Sequence, residues 1–224
     1  MPTATPTRDI QGAQALFQQA QSDMANQEWC LAVDTLKDLR DEDHTYETLT
    51  VDGMLWTSLR NCAIKKITAE GDPEGGLYYL SLVEKYTPLD HDAVNYSTWA
   101  RMYVTGASYW EIDWSQVVHY FSQIYAAFPY MYDSTGWTAI DRYRIGLREY
   151  GKYLMNRGDY CTAEEQFRLS LNILYDADVY QLAEEALLYC QGPTAEPTTA
   201  VTVAPTVEPT IEPTVEEGGE GGGT

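Results

Sequence analysis

An all-α fold, built as an array of helical hairpins, is predicted by three observations. Apolar residues recur three and four positions apart through long segments, as one face of a helix requires. Those segments are separated by Asn26-Gln27, Gly71-Asp72-Pro73, Pro88, Gly106, Pro129 and Gly158-Asp159, residues that interrupt helices. The chain has neither a clear alternating strand pattern nor an Asn-Gly hairpin signal.

The first helix is expected over 10–25, where Ala13, Leu16, Phe17, Ala20 and Met24 keep helical spacing. A second, over 28–40, carries Trp29, Ala32 and Leu36. The third fills 46–68, ahead of the Gly-Asp-Pro breaker, with Ile64 near its end. Helix four, over 73–86, holds Gly76 and Leu80 and stops before Pro88. Helix five spans 90–105 with Tyr96, Ala100 and Tyr103, and Gly106 is read as its end. Helix six, over 113–127, carries Trp114, Val117 and Phe121 and stops before Pro129. The seventh, over 135–156, has Leu147, Tyr150, Gly151 and Leu154 on one face. Helix eight, over 159–174, contains Ala163 and Phe167. The ninth, over 177–191, repeats the pattern with Val179, Leu182, Ala183, Ala186, Leu187 and Cys190.

Composition bounds the function classes. Hydrophobic residues make up 44% of the 224, enough for a core, and tyrosine (18) far outnumbers phenylalanine (4). The net charge is −20, and six of the acids lie after Gly192, which leaves −14 on residues 1–192. Such a balance argues against a nucleic-acid or anionic-membrane partner, since both need a positive patch. No run of about 18 apolar residues offers direct membrane insertion. Residues 193–224 repeat Pro-Thr-Val/Ile-Glu at 205, 209 and 213 and read as a semi-rigid, disordered acidic linker ending in glycines. Residues 1–8 read as the Thr/Pro-rich stub of a similar linker, leaving 9–192 as the folded domain. The start of the chain has no apolar signal core, so it reads as either a cytoplasmic protein or a piece of an exported one. The Thr/Pro character of both ends favours the second.

Four turns align: "NQEWCLAVDTLKDL" from Asn26, "EGDPEGGLYYLSLV" from Glu70, "EIDWSQVVHYFSQI" from Glu111 and "RGDYCTAEEQFRLS" from Arg157. Each has a polar turn, then a small or β-branched residue and an apolar one four later: Ala32/Leu36, Gly76/Leu80, Val117/Phe121 and Ala163/Phe167. The period is about 40–46 residues. The pattern resembles the tetratricopeptide repeat, a stack of helix–turn–helix units, and covers about 10–191. The last full unit matches best, with Leu147, Gly151, Leu154, Tyr160, Ala163 and Phe167. The second departs most, with Ile64 where a small residue is expected. The resemblance implies a right-handed α-solenoid of about four such units plus a terminal helix. It also implies a protein- or peptide-binding module, which the ends suggest belongs to a bacterial surface protein.

Cys30 and Cys161 follow the turn aromatic in corresponding units, and Cys62 and Cys190 sit late in the next first helix. Neighbouring helices in such a stack run antiparallel, so the start of one lies near the end of the next. Disulfides Cys30–Cys62 and Cys161–Cys190, with separations of 32 and 29, are the expected pairing. They would fasten the two ends of the array, where units have one neighbour only. Two disulfides imply an oxidising, extracellular or cell-surface location. The alternative is four buried free thiols in a cytoplasmic protein. A metal or redox role lacks a Cys-x-x-Cys motif and a histidine at ligand spacing.

Nothing else points to an enzyme, a cofactor or a metal. His44, His91 and His119 lie in different segments, and "DEDH" at 41–44 lacks the glycine turn and distal glutamate of a calcium loop. In the resembled family the first helices line a concave face where extended peptides dock. Carried over, that face receives Phe17, Gln21 and Met24, then Asn61 and Lys65, then Ser97, Arg101 and Val104, then Arg148, Lys152 and Met155. Asn61, Lys65, Arg101, Arg148 and Lys152 are the candidate groove residues, and their four cations suit a carboxylate or an acidic peptide. The plain reading of Arg144, Arg148 and Lys152 is a solvated i, i+4, i+8 row beside Glu149. "FPYMYDSTGW" at 128–137 is expected to cap the core between the third and fourth units, with some aromatics exposed. A structural spacer or self-assembly module without a dedicated ligand is the alternative function, and carbohydrate binding through those aromatics a third. The partner's identity and the oligomeric state are not encoded in any motif found.

Overall fold

The computed structural model describes residues 10–192. The linkers expected over 1–8 and 193–224 lie outside the described residues. Among the described residues nine α-helices form: α1 Gln11–Ala25, α2 Trp29–Glu42, α3 Thr48–Ala69, α4 Pro73–Val83, α5 His91–Ser108, α6 Trp114–Ala127, α7 Ala139–Asn156, α8 Tyr160–Ile173 and α9 Ala177–Gln191. Among the described residues there is no strand, only one isolated bridge between Tyr132 and Thr138. Each helix packs chiefly on its neighbours in sequence, and α3 also meets α5, as α7 meets α9. The all-α class and the serial hairpin packing agree with the sequence.

Side chains set most of the helix starts. Asp72, Asp90, Asp113, Thr138, Asp159 and Asp176 each accept a backbone N–H at the start of α4 to α9. Thr138 and Asp141 add a capping box, so α7 begins at Ala139 rather than at the expected 135. Residues 135–138 instead close the loop before it, where Gly136 turns at φ +79°. Helix α4 ends at Val83, three residues early, because Lys85 and Tyr86 bond three residues back in a tightening turn ahead of Pro88. Gly106 does not end α5, which runs on to Ser108. A side chain at 106 would meet Phe121 and Tyr120 at 2.9 Å, so this glycine serves the close approach of α5 and α6.

Small residues set the helix contacts inside each hairpin. A Cβ on Gly151 would lie 2.6 Å from Phe167, and buried Ala163 sits one turn from that ring. In the second hairpin Gly76 approaches Ile67 and the Ala63 carbonyl, so the small residue of α3 is Ala63 and not the expected position of Ile64. Between hairpins, Gly146 of α7 sits against Val117 of α6. Three apolar clusters follow one another along the chain, the first over α1–α4, the second from α3 to α7, the third over α7–α9.

The 128–138 segment does more than cap the third and fourth hairpins. Phe128 packs on Tyr96 and Trp99, and Met131 is fully buried. Tyr132 reaches back to the α3–α4 turn, where its hydroxyl donates to the Ala69 carbonyl at 2.7 Å. Its ring lies over Gly71 (φ +63°), where an added Cβ would sit 2.4 Å from a ring carbon. Tyr130 and Trp137 stay exposed.

A buried cation fixes this segment. Arg142, on the first turn of α7, is only 6% exposed. Its Nη2 donates to Asp133 Oδ2 at 2.6 Å and to Thr135 Oγ1 at 3.2 Å, and its Nε donates to Tyr103 Oη at 3.0 Å. The guanidinium also lies 5.0 Å from the centre of the Trp110 ring. The Tyr103 hydroxyl in turn donates to the Trp137 carbonyl at 2.5 Å. Burial pushes the Tyr103 hydroxyl up to about 12 against the opposing pull of Arg142.

Candidate functional site

Three clefts recur at equivalent places in successive hairpins. Each is walled by the turn inside one hairpin and by the C-terminal half of the next hairpin's first helix. The α1–α2 turn (Asn26 to Trp29) and α3 (Arg60 to Ala69) enclose about 520 Å³. The α3–α4 turn (Glu70 to Glu74) and α5 (Tyr103 to Ser108), with Asp133 and Ser134 across the mouth, enclose about 590 Å³. The α5–α6 turn (Ile112 to Ser115) and Tyr150 and Tyr153 of α7 enclose about 350 Å³. At the fourth equivalent place, α7–α8 against α9, the Cys161–Cys190 disulfide and stacked Tyr160 and Tyr189, 4.8 Å apart, join the walls directly.

Cys30 is bonded to Cys62 beside the first cleft, with Sγ–Sγ distances of 2.03 Å there and 2.00 Å for Cys161–Cys190. Both bonds join the start of a second helix to the end of the following first helix, the antiparallel juxtaposition expected of the stack. Two pairs at bonding distance suit an oxidising environment. Among the described residues no helix is long and apolar enough to cross a membrane.

Asn61 and Lys65 come together in the first cleft. Lys65 Nζ bridges Glu28 at 3.3 Å and Glu70 at 4.0 Å, and the Asn61 amide oxygen accepts from Arg60 at 3.1 Å. Arg148 and Lys152 converge on one acid, Glu149, at 2.7 and 3.0 Å. Arg101 is exposed and donates to Ser97 at 3.3 Å. Among the described residues, no hydrogen bond or ion pair joins Asn61 and Lys65 to Arg148 and Lys152, or either set to Arg101. Three of the four candidate cations are therefore already paired with this chain's own carboxylates, Arg148 and Lys152 sharing one, and of the three only Lys65 lines one of the clefts.

Of the largest of these three clefts, the sequence reading reached only Val104 as a groove residue. Glu70, Asp72, Glu74 and Asp133 supply its charge, and Val104 and Ala107 its apolar wall. Burial opposes ionisation of Asp72, but the Lys66 ammonium at 2.9 Å and the Gly75 amide hold it below the usual carboxylate range. Asp133 follows Ser108, the last α5 residue of this wall, by 25 residues, a placement that local periodicity cannot encode. The aromatics that follow the turns were legible as a repeated motif, and two of them, Trp29 and Trp114, line clefts.

Arg60 ties the first cleft to α5 through both Asp90 oxygens, Nη2–Oδ1 being 2.9 Å. Asp90 also caps α5 by accepting from the amides of Asp92 and Ala93, both at 3.1 Å. Chiefly through the Arg60 hydrogen bond, its carboxyl is held well below the usual carboxylate range. A depressed carboxyl stabilises the fold above its unfolded value of about 3.9 and loses that contribution as pH falls through the folded value. Asp90→Asn is thus expected to lower the melting temperature at pH 7, by an amount that shrinks as the pH drops below about 4. A cost that stays constant in melts from pH 7 to 3 would count against this ion pair.

His44, His91 and His119 lie in separate elements, and among the described residues no group of three or more His, Cys, Asp or Glu is arranged to hold a metal ion. "DEDH" forms the end of α2 and the loop after it, which Arg40 organises by donating to the carbonyls of Tyr46 at 3.0 Å and Thr48 at 2.8 Å. Searches of protein-family models, curated proteins and solved structures give no match to this chain.

Proposed function

We propose that the chain is a non-enzymatic, tetratricopeptide-like, right-handed binding scaffold that holds a protein or an extended peptide along its hairpin-turn edge. The observation that carries this reading is the recurrence of an open cleft at three equivalent turns. Neighbouring pockets in register are what an extended chain needs in order to place successive side chains. The two cysteine pairs support display outside the cytoplasm, as a module of a bacterial surface protein. The internal ion pairs of Lys65, Arg148 and Lys152 weigh against a strongly acidic ligand, because its carboxylates would compete with Glu28, Glu70 and Glu149.

A purely structural spacer is the second reading. It draws on the 128–138 segment, whose Tyr132 already occupies the surface between the second and fourth hairpins. Panning a linear peptide library against the oxidised full chain separates the two. The scaffold reading expects an enriched sequence whose affinity drops about tenfold in Lys65→Glu or in Tyr153→Glu, which line the first and third clefts. Enrichment of no sequence, or binding that every cleft variant leaves unchanged, would leave the spacer standing.

A further inference from the structure

The two ends of the helical array differ. The exposed residues of α1 are mostly glutamine, Gln11, Gln14, Gln18, Gln19 and Gln21, interspersed with small residues such as Ala15 and Ser22, an uncharged face of the kind that closes a repeat array. Helix α9 closes nothing. It packs on α8 and touches α7, and Val179, Ala183 and Ala186 are buried there. Away from that contact, Leu174, Tyr175, Tyr180 and Leu188 are exposed, Leu188 by 62% and Tyr175 by 68%. Tyr180, Glu184 and Leu188 form an i, i+4, i+8 row about 12 Å long. Tyr175 adjoins that row, its ring 6.2 Å from that of Tyr180.

Charge decides what covers this row. Helix α9 contains Asp178, Glu184 and Glu185 and no lysine or arginine, and among the described residues these three acids make no ion pair. A second copy docked symmetrically would set six carboxylates against each other, the two Glu184 side chains among them lying between Tyr180 and Leu188 of each copy. The opposite end of a second copy would offer mainly glutamine, with no lysine or arginine on α1 to meet the acids. A helix with apolar residues on one side and lysine or arginine flanking them meets both demands. We propose that the outer face of α9 is a docking surface, separate from the turn-edge clefts, for a basic amphipathic helix of another protein.

The test uses the oxidised full chain and a fluorescein-labelled synthetic helix of about 18 residues, leucine on one face and lysine on the other. Fluorescence anisotropy is expected to give saturable binding that weakens about tenfold in Tyr180→Glu/Leu188→Glu and in Glu184→Lys/Glu185→Lys. Asp38→Lys/Asp41→Lys, which shifts the net charge equally on α2, is expected to change affinity by less than about twofold. All four α9 positions are exposed, so circular dichroism should be unchanged in these variants. An equal loss in the α2 control would reduce the effect to bulk charge and overturn the proposal. So would absence of binding, or a dimer in sedimentation velocity that Leu188→Glu disperses, which would assign the face to a second copy.

Discussion

Arg142→Ala is expected to destabilise the fold by about 3 kcal/mol, the low end of the range for removing one partner of a buried ion pair, because the guanidinium is buried while Asp133 keeps some exposure at the mouth of its cleft. The substitution leaves Asp133 without its cation and strips a donor from Tyr103, whose hydroxyl is sealed from water. It also frees the 128–138 segment, because Arg142 holds Asp133 and Thr135 from α7 while Tyr103 holds the Trp137 carbonyl from α5. Urea unfolding of Arg142→Ala, Asp133→Ala and the double variant isolates the pair. A loss below about 1 kcal/mol for Arg142→Ala, the scale of an exposed pair, would mean that water reaches the guanidinium.

Removing either disulfide as a Cys-to-Ser pair is expected to lower stability by about 3.5 kcal/mol, from the loop-closure entropy of 32- and 29-residue separations. The two bonds should not respond alike to reductant. Cys62 is fully buried beneath the first cluster, whereas Cys161 is exposed on the first turn of α8. Timed alkylation in dilute reductant should label Cys161 and Cys190 before Cys30 and Cys62. Labelling of all four thiols without reductant would remove both bonds from the account.

The helices were legible because the core repeats at helical spacing. Ala13 with Ala20, Val117 with Phe121, and Val179 with Ala183 are all buried where periodicity put them. The cysteine pairing was legible for a related reason, since equivalent positions in a repeat meet equivalent neighbours. What failed were places where one residue serves two purposes. Gly106 read as a breaker because glycine interrupts isolated helices, and tertiary packing against Phe121 overrode that cost. Ile64 read as the small position because its true counterpart, Ala63, lies one residue away in an apolar run that leaves register open. The clefts were half legible. Asn61 and Lys65 fell into one, but charge alone could not reveal that Glu149 holds both Arg148 and Lys152. The acid-lined cleft depends on Asp133, delivered by a long irregular segment whose course is set by Arg142 and by the missing side chain of Gly71.

Cross-linking the first two hairpins and the last helix pair has a mechanical corollary. Tension applied at the two termini passes through Cys30–Cys62 and Cys161–Cys190, so the stretches between those cysteines cannot lengthen while the sulfurs stay joined. Among the described residues, those ahead of Cys30 and those between Cys62 and Cys161 can extend. Load would therefore fall on α1 and on α4 to α7, where the Arg142 pin sits, and a tethered molecule would yield there while the two cross-linked stretches stayed closed.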